Sequence, residues 1–388
     1  MSDKLFFIAG EASGDLHASN LAAALLRANP ELKLMGWGGE LMEQEGVEIR
    51  KHYRDLAFMG FWEVVKNLKT IFKNIELCKQ QISEEKPSAL VLIDYPGFNL
   101  RIAKWAKEMG IPVYYYIAPQ IWAWKENRVH QIKKNVTELF AVLPFEKEFY
   151  SKKGMDVHFV GHPLLDEVKK RKRLESNSFR NQFHLDDRPI VALLPGSRKQ
   201  EVKRMLEVML KLELKYPNYQ FIIAGAPSLR PEFYQSLIGE QKTKLVFGVT
   251  YDLFEAAEAA MVTSGTATLE AALLNCPEVV CYKANPISYF IAKQLVKIKF
   301  ISLVNLLLDR EAVRELIQFE WNLSQASQEL DAILNGEMKR EHILASYQEL
   351  RMKLGDGGAS DKTAQLLLES LESITRQSAV DASVANTN

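Results

Sequence analysis

Short, nearly uninterrupted apolar runs alternate along the chain with longer amphipathic stretches. In the first part the runs 4–9 (KLFFIA), 33–37, 89–93 (ALVLI), 113–117 (VYYYI), 138–143 and 157–160 predict strands. Between them, 15–28, 61–84, 99–109 and 145–153 predict helices. Strands that are apolar on every position, rather than on alternate ones, belong in a parallel sheet covered on both faces. The grammar restarts near 189, with strands at 190–194 (IVALL), 220–224, 244–247, 259–263 and 278–282. Helices are expected at 199–216, 230–238, 251–257, 266–274 and 287–297. Past 300 the pattern predicts only helices: 303–308, 310–318, 323–334, 338–353 and 360–375.

A chain of 388 residues exceeds the size, about 250–300 residues, at which one core stops growing, so two domains are expected. The polar, basic stretch 167–189 reads as the linker, with five successive basic residues from Lys169 to Arg173. The fold expected is α/β: two Rossmann-like doubly wound domains facing a cleft, followed by a helical carboxyl-terminal region. The boundaries expected are 1–170, 171–335, 336–375 for the last helices, and 376–388 for a disordered tail of small and polar residues.

Composition narrows the function. Lys+Arg and Asp+Glu both number 49, and a chain with no net charge is not a general nucleic-acid binder. The three cysteines, Cys78, Cys276 and Cys281, are scattered and odd in number, which suits a reducing compartment and no structural zinc. The seven histidines show no HExxH or paired ligand spacing, so neither a metal nor another cofactor is expected. The amino-terminal apolar run is too short for a signal peptide, and no window is apolar enough to span a membrane. A cytoplasmic protein is expected.

In doubly wound sheets, ligands bind beyond the carboxyl ends of strands, so the loops there carry the candidate chemistry. "GEASGD" after the first strand brackets small residues between Gly10 and Gly14 and leads into a helix through Ser13 and Asp15. It offers backbone donors, or simply makes a tight turn with a cap. It is not GxGxxG, so a dinucleotide fingerprint is absent. "LIDYPGFN" ends a buried strand at Asp94. That aspartate reads either as an Asx-turn or cap, or as a partly desolvated carboxylate able to accept a proton. "APQIWAW" sets Gln120 and Trp122 after another strand, suited to a sugar ring or an apolar chain, or simply to packing. The helix that follows carries Lys125, Arg128, His130 and Lys133, within reach of a phosphate.

Two further turns suit phosphate. "LLPGSRKQEV" brings Ser197 and Arg198 to a helix start, and "VTSGTATLEAALL" does the same with Ser264, Gly265 and Thr266. Neither has the Gly-Lys-Ser/Thr of a Walker motif, which disfavours ATP hydrolysis. Finally, "LAFMGFWEVVKNLKTIF" (56–72) groups Phe58, Met59, Phe61, Trp62 and Val65 near lysines. It reads as a core-facing helix or as one that touches acyl chains or a membrane surface.

Eight of these stretches, in order, resemble the lipid-A-disaccharide synthase family, glycosyltransferases of the GT-B architecture. They are "GEASGD", "MGFWEV", "DYPGFN", "APQIWAW", "GHP" (161–163), "LPGSR", "SGTATLEAAL" and "SLVNLLL" (302–308). The resemblance implies an inverting transfer from UDP-2,3-diacylglucosamine to 2,3-diacylglucosamine 1-phosphate (lipid X). The products it implies are the β-1,6-linked lipid A disaccharide 1-phosphate and UDP. It also implies Asp94 as base, Arg198 and the Ser264–Thr266 helix start beneath the diphosphate, and Asn305, Glu315 and Gln318 in the nucleotide-contacting segment. Val304 and Arg314 stand where the family usually has proline. Association with the inner-membrane surface, and a homodimer exchanging carboxyl-terminal helices, are implied as well. A UDP-N-acetylglucosamine epimerase and a non-catalytic nucleotide-sugar or lipid carrier are the rival readings of the same domains.

Overall fold

The computed structural model describes residues 4–56, 68–123, 125–171, 176–286, 289, 294 and 298–385. The apolar candidates Phe58, Met59, Phe61, Trp62 and Val65, and most of the helix expected at 287–297, lie outside them. The described chain divides into two compact units, residues 1–166 with 356–388, and residues 167–355.

Unit one holds β1 (Lys4–Ala9), α1 (Ala12–Ala28), β2 (Lys33–Gly38), α2 (Glu40–Gln44), β3 (Glu48–His52), α3 (Leu68–Glu85) and β4 (Ala89–Ile93). It continues through α4 (Pro96–Glu108), β5 (Val113–Tyr116), α5 (Arg128–Asn135), β6 (Glu138–Ala141), α6 (Pro144–Ser151) and β7 (His158–Phe159). The division from unit two falls inside α7 (Leu164–Lys170). All seven strands are parallel, in the order β3-β2-β1-β4-β5-β6-β7. That is the doubly wound order, and its switch point lies between β1 and β4, where the chain leaves the sheet to opposite sides. β1 from Leu5 on, and all of β4, are buried on both faces. Each large aliphatic side chain so buried contributes about 1.5–3 kcal/mol.

Unit two repeats the plan. It carries α8 (Ser176–Gln182), β8 (Ile190–Leu194), α9 (Lys199–Glu213), β9 (Gln220–Gly225), α10 (Pro231–Ile238), β10 (Lys244–Phe247), α11 (Thr250–Ala256) and β11 (Ala257–Thr263). Then come α12 (Thr266–Leu273), β12 (Glu278–Tyr282), α13 (Leu303–Leu308), β13 (Glu315–Ile317), α14 (Leu323–Leu334) and α15 (Glu337–Leu354). Its six parallel strands run β10-β9-β8-β11-β12-β13, with the switch point between β8 and β11.

Four expectations change. Residues 310–318 are not a helix: Glu315–Ile317 form β13, parallel to β12. The sequence RELIQ has a helix-like composition, but Leu316 is fully buried in the sheet, and tertiary pairing outweighs local propensity. The linker at 167–189 is also structured, since α7 and α8 occupy part of it and Phe179 is buried in the core of unit two. The carboxyl-terminal helices, expected to pack together on the first domain or a partner subunit, separate: α16 (Ala359–Ala385) packs on α1 of unit one, whereas α15 packs on α12, α13 and α14 of unit two. Lastly, α16 runs on past 376 to Ala385, where a disordered tail was expected. β3, with its polar sequence EIRKH, gave no apolar signal to read.

Candidate functional site: the two switch points

Register sets the first cluster. Ile93 of β4 pairs with Ala9 of β1 and with Tyr116 of β5. The residues that follow, Gly10, Asp94 and Ile117, therefore leave the sheet side by side at its carboxyl edge. The backbone is strained there: Asp94, Tyr95 and Ile117 have φ of 42°, 49° and 66°, in the left-handed region that non-glycine residues avoid.

Named contacts stabilise the bend. The Asn99 amide is fully buried, and its Nδ2 donates to the carbonyls of Asp94 at 2.8 Å, Ile93 at 3.2 Å and Ile8 at 3.4 Å. Tyr115 Oη donates to the Asp94 carbonyl at 2.5 Å. The Asp94 side chain is exposed at its outer face and crowded behind. Loss of water there pushes its carboxyl pKa up to about 6, against the backbone N–H of Tyr95, which favours the ionised form. At neutral pH Asp94 is a charged, solvent-facing carboxylate near the best basicity for accepting a proton.

The other candidates of unit one divide into two groups. Ser13 and Gln120 are exposed, and Trp122 is partly so. Asp15 is buried instead, and its carboxylate accepts from the backbone N–H groups of Gly39 at 2.7 Å, Leu41 at 3.1 Å and Met42 at 3.2 Å. It caps the start of α2 from a neighbouring helix. Gly14 is buried in the first turn of α1, where an added Cβ would touch Ala9 at 3.4 Å. His17 and His162 (the "GHP" histidine) are both buried, and burial lowers their pKa values to about 4 and about 3, so both are neutral at pH 7.

Sequence reading missed Glu146, Asn99 and Tyr115. Glu146 is fully buried at the start of α6 and accepts from Trp122 Nε1 at 3.2 Å. Its one sequence signal is a glutamate two residues after Pro144, where a helix begins.

In unit two the switch-point turns are those expected to suit phosphate. Leu194 pairs with Val262, so the turns after β8 and β11 emerge together. Arg198 is exposed at the cap of α9 and does not cap that helix with its own side chain, and Gly265, which has none, stands at the cap of α12. The N–H of Ser197 is already held by Glu201 Oε2 at 3.0 Å. Ser264 Oγ donates to the Ile301 carbonyl at 2.9 Å. The backbone N–H groups of a helix's first turn are the donors such a turn can offer to an anion.

Asn305, Glu315 and Gln318 are bound into the fold. Glu315 accepts from Ile301 N at 2.9 Å, Ser302 N at 3.0 Å, Ser302 Oγ at 2.8 Å and Asn305 Nδ2 at 2.9 Å. It thereby secures the entry to α13. Asn305 Oδ1 accepts from Ala312 N at 2.8 Å and Val313 N at 3.0 Å. Gln318, at φ 58°, exchanges two amide hydrogen bonds with the backbone of Ala284. These three side chains shape the segments around the second switch point.

The sequence profile described as Lipid-A-disaccharide synthetase matches residues 5–369. The chain belongs to the lipid-A-disaccharide synthase family. It is 40% identical over 381 residues to the lipid-A-disaccharide synthase of Syntrophus aciditrophicus, covering 95% of this chain and 98% of that one. It is 37% identical to that of Myxococcus xanthus, covering 95% and 97%. The family comprises hexosyltransferases that form the lipid A disaccharide in lipid A biosynthesis. Among solved structures, the chain resembles a UDP-bound complex titled S. aureus MnaA (TM-score 0.65, 13% identity, 93% of this chain and 94% of that one). It also resembles the Neisseria meningitidis UDP-GlcNAc 2-epimerase bound to UDP-GlcNAc (TM-score 0.63, 14% identity, 94% and 99%). At such identity the likeness is one of fold, the GT-B fold. Among the described residues, no helix is long and apolar enough to cross a membrane.

Proposed function

We propose that Asp94 is the general base of an inverting transfer from UDP-2,3-diacylglucosamine to lipid X. The acceptor 6-hydroxyl oxygen attacks the anomeric carbon, and the bond from that carbon to the UDP oxygen breaks. UDP leaves with the electron pair, and the hydroxyl proton passes to Asp94. The products are the β-1,6-linked disaccharide 1-phosphate and UDP. One observation carries the assignment: Asp94 leaves the sheet at the switch point of unit one, on a strained bend held by Asn99 and Tyr115. Strain maintained at a strand's carboxyl end is a feature of functional sites.

On this reading Arg198, Ser197 and the helix start at Ser264, Gly265 and Thr266 receive the diphosphate. Their donors stabilise the charge that develops on UDP as it leaves. Asn305, Glu315 and Gln318 act by holding the surrounding segments in shape, since their polar atoms are already engaged. Gly10, Ser13, Gly14, Asp15, Gln120 and Trp122 form the acceptor side, with Asp15 as a buried support. The diacylated substrates favour work at the cytoplasmic face of the inner membrane, with residues 56–72 against lipid. Phe72, 58% exposed with the Arg101 guanidinium 5.9 Å from its ring, suits that contact. A homodimer exchanging α16 would repeat the α16–α1 packing between copies.

Mass spectrometry of reactions holding both acylated substrates, or the UDP-sugar alone, tests the reaction. Disaccharide in the first and no turnover in the second is expected. Turnover without acceptor would support the epimerase reading instead.

A further inference from the structure

Glu146 is a buried carboxyl group that the transfer does not itself use. It sits in the first turn of α6, fully buried. Its Oε2 accepts from the backbone N–H groups of Leu143 at 3.0 Å and Val142 at 3.2 Å. Its Oε1 accepts from Trp122 Nε1 at 3.2 Å. The Trp122 ring also packs edge-on against Phe145, 4.9 Å between centroids. A residue of the loop after β5 is thus tied to the helix after β6 through one carboxyl group. Tyr150, further along α6, makes a second tie, its Oη donating to the Pro119 carbonyl at 3.3 Å.

We propose that Glu146 is a positioning residue for the acceptor, holding the Trp122 indole against the first turn of α6 at the carboxyl edge where Asp94 also leaves the sheet. The proposal rests on the reading of Asp94 as the base. The segments after β4, β5 and β6, which carry Asp94, Trp122 and Glu146, emerge from adjacent strands. The other ionisable groups about this pair are Tyr115 from β5, Arg128 from α5, Tyr150 on α6, and Tyr95 and Glu11 from the loops after β4 and β1.

Ionisation gives the contact a signature. Burial first, and the Asp94 charge with it, raise the Glu146 pKa to about 7, against its three N–H donors. Asp94, at about 6, ionises first, and its charge then hinders Glu146. Ionised Glu146 holds the indole N–H more strongly than the neutral acid does. Acceptor use therefore rises with pH as the pair ionises, and Glu146 contributes the higher-pH part of that rise.

The test is the pH profile of kcat/KM for the acceptor in wild type, Glu146→Gln and Trp122→Phe. Glu146→Gln loses the higher-pH part of the rise and keeps the part that Asp94 contributes. Trp122→Phe keeps an aromatic ring but removes the indole N–H and the five-membered part of the ring. It raises acceptor KM several-fold and leaves donor KM in place. With no N–H for Glu146 to hold, it also loses the same higher-pH part of the rise. An unaltered profile in Glu146→Gln, or an unaltered acceptor KM in Trp122→Phe, overturns the proposal. The phenylalanine variant keeps the test open if Glu146→Gln does not fold. Asp94→Asn separates the two readings. Full activity in that variant removes the base assignment, whereas an inactive Asp94→Asn with an unaltered Glu146→Gln profile removes only the role of Glu146.

Discussion

The ring of Tyr95 occupies the space a side chain would need at Gly10: a Cβ built there would stand 2.4 Å from Tyr95 Cδ1. The loops after β1 and β4 thus meet at the switch point with no room between them. Gly10→Ala must displace the ring, and with it the bend that carries Asp94. Overpacking of this kind costs about 1–3 kcal/mol. Urea titrations should show that loss, and Tyr95→Ala should relieve it in the double variant. Activity should stay low in both. Additive stability losses would mean that the two loops do not interact as described.

Asn99 gives the second prediction. Its amide serves three carbonyl groups of the bend, and Asn99→Asp replaces that donor with an acceptor. Stability should fall by about 1–3 kcal/mol. The more telling result is kinetic: kcat should drop while UDP affinity, measured by calorimetry, is preserved. Equal losses in both would make Asn99 a support of the whole fold rather than of Asp94.

A third prediction concerns Glu315. Glu315→Gln swaps one acceptor oxygen for an NH2 facing donors at the entry to α13. Stability should fall by about 1–3 kcal/mol, and UDP binding should weaken with it. If Glu315 instead touches the nucleotide directly, affinity would fall with no change in the urea midpoint.

The buried histidines predict an acid response. The folded pKa of His17, about 4, lies below the unfolded value near 6.5. Its contribution is therefore present above pH 6.5 and lost as pH falls toward 4, because the unfolded chain binds the proton first. The shift corresponds to something on the order of 3 kcal/mol. His17 Nδ1 has no hydrogen-bond partner among the described residues, so His17→Leu should fold at pH 7.5 and be less acid-sensitive than wild type over that window. Parallel stability curves against pH would rule this out.

Much of this arrangement was legible in the sequence, for a physical reason. Strands buried on both faces read as apolar runs, and the residue that ends such a run faces a crevice. That is why the turns at Gly10, Asp94, Arg198 and Ser264 could be picked out before their neighbours were known. β13 was not legible, because Glu315–Ile317 are held in the sheet by pairing with β12, a contact distant in sequence. The backbone partners of Asp15 and Glu315 are equally invisible in sequence, and the nucleotide role of Glu315 came only from the family resemblance. Their backbone donors come from α2 and from the entry to α13. Glu146 was missed because PFEKEFYS is an ordinary amphipathic stretch until it is folded against Trp122.

The central claim is that Asp94 accepts the acceptor's proton. It is tested most directly by Asp94→Asn, assayed with both acylated substrates, with UDP binding followed on the same sample. UDP affinity within about twofold of wild type, with turnover reduced by at least about a hundredfold, is the result expected from loss of a general base. Wild-type turnover in a folded, UDP-binding Asp94→Asn would contradict it.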